Sequence, residues 1–371
     1  MAILVSRLSI ERFRGIHDLL LENLNHINII AGDNNSGKTS VLEAMLLLRN
    51  PKDFNNILRI ARMRDLNTPA STATVYESFI NLFPRSASPS EILLDGVCLN
   101  GSVVIRLLGE QKSIMIAPED LYQYLPQPLR KNRIKDFSAG TETAAFMGEL
   151  EVVINEAHER SAIEYHAHSR VTGREIDKNN YLDIVYLSPT DHVRGNVFDS
   201  IVRDDIYKEI CLNVLRLFDK EILDILYQRN EETNRPVEYV RHAALGNMPL
   251  STYGDGIKKV LSLANGIARA ANGVLLIDEL ETAIHSKYYD DIFRFIVKAC
   301  KQFQVQAFIT THSIEAIDGM LATQDYGTND MDDLSVITVS KEPGSKRTYS
   351  RVLSGRRVYT NREEFGFEVR L

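Results

Sequence analysis

Cysteine is scarce in this 371-residue chain, which has only Cys98, Cys211 and Cys300. They are odd in number, widely spaced and never arranged C-x-x-C, so a disulfide framework and a zinc site are both excluded and the three read as packing residues. Long apolar runs are also lacking. No window approaches the roughly 18 to 20 apolar residues that cross a bilayer. Arg7 interrupts the opening "MAILVSRLSIERF" before an apolar signal-peptide region develops. No membrane partner is expected, and the cytoplasm is the expected location. Excess positive charge is missing too. The formal net charge is -7, which excludes the overall field of a dedicated nucleic-acid binder and leaves room only for a local basic patch. One such segment is "LRKNRIKD", with Arg130, Lys131, Arg133 and Lys135 opposed only by Asp136; most charge runs of this kind are solvated loops. Internal repeats and coiled-coil heptads are absent, so no long helical arm is expected.

What is present is a folded composition, 44% hydrophobic and 25% charged, sufficient for one large domain or two. "AGDNNSGKTS", from Ala31 to Ser40, satisfies the spacing G-x-x-x-x-G-K-S/T through Gly32, Gly37, Lys38 and Thr39. "HINIIAG" before it reads as a buried strand and "SVLEAMLLL" after it as a helix, so the loop joins strand to helix. In that setting glycines let backbone N–H groups curl around an anion, and the helix start adds partial positive charge. Gly32, Asn34, Asn35, Gly37, Lys38, Thr39 and Ser40 are the candidate nucleotide-binding residues. Lys38 is suited to the outer phosphates and Thr39 to magnesium.

A second segment, "GVLLIDELETAIH", ends a buried strand in two carboxylates. Asp278 is suited to hold magnesium and Glu279 to orient or deprotonate an attacking water. "AFITTHSIEAI" ends another strand at Thr310, Thr311 and His312, and His312 is placed to meet a terminal phosphate. Between the loop and the carboxylates, "LSTYGDGIKKVLSLANGIA" opens a helix. Ser251, Gly254 and Gly256 there offer hydroxyl and backbone donors at a helix N-terminus, a second phosphate site by the same physics. Read alone, that stretch is equally an ordinary capped helix.

Strand and helix patterns alternate through "YLDIVYLSP", "GVLLID", "QAFITT" and "LSVITVS", which predicts a mostly parallel α/β sheet with helices on both faces. "DDIYKEICLNVLRLFDKEILDIL" carries helical spacing throughout. The expected division is residues 1–60 and 181–371 as the two parts of that domain, interrupted by an inserted α+β subdomain over 61–180. Short strands such as "SVVIRLL", "KSIMIA" and "LEVVI" would give the insertion its own small sheet.

"GDNNSGKTS", "LSTYGDG", "VLLIDELE" and "ITTHS", in that order, resemble the Walker A, signature, Walker B and switch-histidine motifs of ABC-type ATPase heads. "IERFRGI" resembles the opening strand of the RecF, SMC and OLD branch. The resemblance covers residues 1 to about 50 and 180 to 371. It implies an ATPase using ATP and Mg2+, working as a homodimer or a higher oligomer of dimers. In such dimers Ser251, Gly254 and Gly256 act in trans and Arg14 lies near the phosphate-loop entrance. "LSTYGDG" departs from the LSGGQ of transporters. "LETAIHS" resembles a segment of OLD-like ATPases but has Ser286 where proline or tyrosine is commoner. No glutamine matches the usual Q-loop; Ser188, Thr190 and Asp191 occupy about its place. OLD nucleases continue into a TOPRIM domain, for which no room is expected after "FEVRL". The chain thus resembles stand-alone ATPase subunits that control a separate effector, such as a TOPRIM-like nuclease, in bacterial antiviral defence. The alternative is a RecF-like repair ATPase that binds nucleic acid. A small-molecule P-loop kinase is disfavoured, since it needs neither the second helix start nor His312.

Overall fold

Every residue of Ile27–Ala31 is buried, as expected of a strand covered on both faces, and the rest of the architecture is arranged around it. The structure is a computed structural model and describes residues 2–66, 73–85, 89–117, 141–169, 180–194, 197–229, 234–326, 332–341, 344–345 and 347–366. The basic segment containing Arg130 to Lys135 lies outside the described residues.

In chain order, β1 (Val5–Phe13), β2 (Ile16–Leu21) and β3 (Ile27–Ala31) lead into α1 (Lys38–Met45), α2 (Phe54–Leu66) and α3 (Val75–Ile80). Then come β4 (Ser90–Cys98), β5 (Gly101–Ile116), β6 (Thr141–Ile154), β7 (Ala157–His166) and β8 (Ile184–Leu187). Helices α4 (Asp191–Arg194) and α5 (Asp205–Leu215) precede β9 (Ile222–Arg229), β10 (Pro236–His242) and β11 (Gly246–Pro249). The last part alternates: α6 (Asp255–Arg269), β12 (Val274–Ile277), α7 (Tyr289–Gln302), β13 (Gln306–Thr310), α8 (Ile314–Leu321), β14 (Leu334–Lys341), β15 (Thr348–Ser354) and α9 (Gly355–Phe365).

The central sheet has the order β15-β14-β3-β13-β12-β8, parallel except for the β14–β15 pair. Its pleat sends alternate residues into two cores. Leu275 and Ile277 of β12 pack with Ile257 and Val260 of α6 and Ile292 and Phe293 of α7. Val274 and Leu276 pack with Val41 and Leu42 of α1, with α2 residues such as Ile57, and with Leu8 and Ile10 of β1. The predicted α/β sheet with helices on both faces is therefore present, and an antiparallel sheet shares the second face. The three cysteines are free and buried.

Three expectations need correction. The strands of residues 61–180 do not make a sheet of their own: β4 to β7 extend β1 and β2 into one antiparallel sheet of order β2-β1-β4-β5-β6-β7. Leu8 lies opposite Gly96 and Ile10 opposite Leu94, so the N-terminal strands supply the template. "SVVIRLL" and "KSIMIA" belong to one long strand, β5. The helical pattern beginning at Asp205 stops at Leu215, and "EILDIL" instead forms β9. Apolar residues at 222, 223, 225 and 226 have helical spacing, and pairing of β9 with β10 overrides it.

Candidate nucleotide site

Three loops leave the carboxyl edge of the sheet side by side, because β13 lies between β3 and β12. That edge is where open α/β sheets bind ligands. β3 delivers the glycine-rich loop, β12 delivers Asp278 and Glu279, and β13 delivers His312.

The loop is shaped by positive φ at Gly32 (143°), Asn35 (65°) and Gly37 (112°). A Cβ on Gly32 would stand 2.2 Å from the Val339 carbonyl oxygen, so the close backbone of β14 demands glycine there. The first N–H groups of α1 have no acceptor within the helix, and Ser36 adds a buried hydroxyl oxygen without a hydrogen-bond partner among the described residues. Asn34 and Asn35 sit exposed at the loop's rim. Lys38 Nζ donates to the carbonyls of Gly32 (2.7 Å) and Asp33 (2.9 Å). Burial lowers its pKa from the ordinary lysine value, and the charges of Asp278, Glu279, Glu281 and Asp33 oppose that shift. The ammonium is thus held at the mouth of an anion cradle by weak acceptors that an anion can replace.

Across from the loop, the Thr39 hydroxyl donates to Asp278 Oδ1 at 3.1 Å. The same carboxylate oxygen accepts from the Thr310 hydroxyl at 2.6 Å, while Oδ2 accepts from the Tyr186 hydroxyl at 3.2 Å. Thr310 Oγ1 in turn accepts the Glu279 backbone N–H at 2.8 Å. Glu279 has φ 49°, a left-handed conformation that costs a non-glycine residue about 1 kcal/mol or more and is commonest at functional sites. Burial, then the Asp278 charge, pushes the Tyr186 pKa up, so Tyr186 stays a neutral donor. Sequence reasoning gave Thr310 and Tyr186 no role.

His312 is tied to another residue that the sequence left without a role. Glu281 Oε1 accepts the His312 backbone N–H at 2.9 Å and lies 3.0 Å from Nδ1 of its ring. The Glu281 side chain is 9% exposed, and its second oxygen is buried without a hydrogen bond among the described residues. Nearby on α6, Lys259 is buried, and desolvation lowers its pKa to about 8 against the charges of Asp191, Glu281, Asp278 and Glu279.

Arg14 is near the loop but committed elsewhere. Its guanidinium Nε lies 2.8 Å from buried Glu43 on α1, and Arg64 of α2 reaches the same carboxylate at 2.6 Å. Arg64 also donates to Ser40 Oγ at 2.9 Å. Arg14, Arg64, Asn81, Phe83 and Arg85 line a cavity of about 640 Å3, whose described lining includes no residue of the loop.

Ser251 lies in a one-turn 3-10 helix (Leu250–Thr252) and Gly254 caps α6; both are exposed. Gly256 packs closely on the segment after Glu279, since a Cβ there would meet the Ala283 carbonyl oxygen at 3.2 Å. No hydrogen bond among the described residues joins Ser251, Gly254 or Gly256 to the loop within one chain. Asp191 accepts from Ser188 N–H (2.8 Å) and Oγ (2.6 Å), closing the turn into α4.

Two family models match. One, described as "AAA ATPase domain", covers residues 4–164, and the other, described as "AAA domain, putative AbiEii toxin, Type IV TA system", covers residues 202–318. The first match contains the phosphate loop, and the second contains Ser251, Asp278, Glu279 and His312. An ATP/GTP phosphatase of Helicobacter pylori is 21% identical over 351 residues, covering 87% of this chain and 90% of that protein. A DNA replication and repair protein RecF of Shewanella sp. is 23% identical over 360 residues, covering 86% of this chain and 95% of that protein. An uncharacterized protein of Methanocaldococcus jannaschii is 47% identical over 60 residues, which is 16% of this chain and only 27% of that protein. Among solved structures, the SmcHead bound to the C-winged helix domain of ScpA aligns with TM-score 0.48 and 13% identity, over 96% of this chain and 99% of that one. No described helix is long and apolar enough to cross a membrane.

Proposed function

We propose that the chain hydrolyses ATP as a head of the ABC type and that ATP-dependent dimerisation is its output. The observation that carries this reading is the hydrogen-bonded line Thr39–Asp278–Thr310–Glu279, which joins three separate strand ends at the mouth of the phosphate loop. Among the described residues no three His, Cys, Asp or Glu side chains converge on one point. A Mg2+ ion would therefore take Thr39 Oγ1 and Asp278 from the protein and complete its oxygen shell from phosphates and water. That pair of hard oxygens, 3.1 Å apart, fits the ion. Bound there, Mg2+ supplies charge neutralisation on the outer phosphates.

The chain's own groups do the rest. Lys38 exchanges its loop carbonyls for phosphate oxygens. Glu279, with Thr282 Oγ1 at 3.4 Å from its carboxylate, accepts the proton of the attacking water. His312, fixed through Glu281, meets the terminal phosphate, and the cavity beside Arg14 receives the nucleoside. Among the described residues Ser251, Gly254 and Gly256 make no hydrogen bond to the loop of their own chain; in this reading they cap the nucleotide of a second copy. Residues 1–60 and 181–371 form the head, with 61–180 added to its antiparallel sheet. The phosphatase name of the Helicobacter relative supports ATP hydrolysis, and the toxin–antitoxin description carried by the second matching model supports a place in bacterial defence, where in this reading the chain controls a separate effector.

The test is sedimentation of a Glu279→Gln variant with and without Mg-ATP. A nucleotide-dependent doubling of mass is expected, and an unchanged mass would remove dimerisation from the account. A second reading, a RecF-like ATPase on DNA, is favoured by the Shewanella alignment over most of both chains. Tight binding of gapped duplex DNA at physiological salt, measured by fluorescence anisotropy, would favour it over effector control.

A further inference from the structure

Outside the nucleotide site, three arginines from three separate elements converge on one cavity of about 230 Å3: Arg49 follows α1, Arg59 belongs to α2, and Arg269 ends α6. Among the described residues no carboxylate lines it, although the chain as a whole carries a net charge of -7. Arg59 is partly compensated by Asp53 at 2.7 Å. Arg49 and Arg269 are solvent-exposed and form no ion pair among the described residues, so two guanidinium groups that line the cavity are left to water and to whatever anion enters it. Asn56, whose amide is fixed by donation to the Leu46 carbonyl at 3.1 Å, adds a polar group, and Tyr186 also lines the cavity while its hydroxyl stays committed to Asp278.

We propose that this cavity is an anion site for a phosphate or diphosphate group, distinct from the phosphate loop. Its volume is below the roughly 300 Å3 at which pockets begin to enclose whole small molecules, which suits a phosphate head rather than a nucleoside. Guanidinium forks match phosphate oxygens two at a time. Two uncompensated positive charges match a phosphate dianion better than a lone carboxylate. A free phosphate compound and a nucleic-acid backbone present the same group, and the test separates them.

The experiment uses the full chain carrying Lys38→Ala, which weakens the phosphate loop, titrated with inorganic pyrophosphate by calorimetry. One site is expected to remain. Adding Arg49→Ala and Arg269→Ala should weaken it by roughly tenfold or more for each arginine, the usual size for a hydrogen bond to a charged group. Arg49→Lys with Arg269→Lys, which keeps the charge, should retain part of the binding and rule out a folding defect as the cause. A fluorescent 20-base-pair duplex in competition identifies the source. Displacement of pyrophosphate by the duplex assigns the site to a nucleic-acid backbone, and indifference assigns it to free phosphates. No pyrophosphate binding to the Lys38→Ala protein, or equal affinity after both arginines are removed, overturns the proposal.

Discussion

Lys259→Met should make the protein more stable at neutral pH while damaging its activity. Lys259 lies in α6, one turn past Gly256, and is 2% exposed. Burial lowers its pKa from 10.5 to about 8, even with four carboxylates pulling the other way. At about 1.4 kcal/mol for each tenfold, that gap corresponds to about 3 kcal/mol by which folding disfavours the ammonium relative to the neutral amine. The unfolded chain keeps the proton up to about pH 10.5, whereas the folded chain releases it near pH 8. Between those values the unfolded state binds more protons, so wild-type stability rises with pH there. The full penalty applies below the folded pKa and disappears above the unfolded one. Methionine fills a similar unbranched shape without charge. The variant should therefore exceed wild type by up to about 3 kcal/mol at pH 7, with the advantage fading through the alkaline window. Paired urea unfolding curves at several pH values read this directly. A variant less stable than wild type at pH 7 would refute the reasoning, because it would mean that the ammonium makes contacts worth more than its desolvation. A buried charge retained at such cost beside a candidate site points to function, so the same variant should also lose ATP turnover.

Other outcomes follow from the site's connections. Glu279→Gln should keep ATP binding and slow hydrolysis by at least about a hundredfold, since the shape is kept and the general base removed; single-turnover rates check it. Glu281→Ala should lower kcat by about tenfold or more with little change in KM, and Glu281→Gln, whose amide oxygen can still accept from the His312 N–H, should restore part of it. A rise in KM with kcat unchanged would limit Glu281 to substrate binding. Mixing Ser251→Arg chains with Lys38→Ala chains should restore activity beyond either parent, because each mixed dimer keeps one intact composite site. No recovery would argue for a site completed within one chain.

The phosphate loop and the carboxylate strand were legible because each is a contiguous run whose chemistry depends on local geometry: positive φ at Gly32 and Gly37, and a buried strand ending in Asp278. Thr310, Tyr186 and Glu281 were not, because their roles exist only across the sheet. Tyr186 meets Asp278 from 92 residues away because β8 lies beside β12. A tyrosine in a strand pattern carries no sign of that neighbour. Lys259 fell within an amphipathic helix pattern, where a lysine reads as solvent-facing, and only the packing of α6 on the site buries it. The segment from Ile222 failed differently: its apolar spacing is helical, and pairing with the partner strand β10 overrides it. Ser251 and Gly254 stay exposed in one chain, so their expected role depends on a second copy.

The most direct test of the account is Mg2+-dependent ATP hydrolysis by wild type and Lys38→Ala side by side. Among the described residues the Lys38 ammonium hydrogen-bonds only to the loop carbonyls of Gly32 and Asp33, and the account gives its charge to the outer phosphates. Wild type should turn over ATP only with the divalent ion, and the variant should lose most of its ATP affinity or turnover while keeping the wild-type fold by circular dichroism. Hydrolysis by Lys38→Ala at the wild-type rate would contradict the assignment of this site.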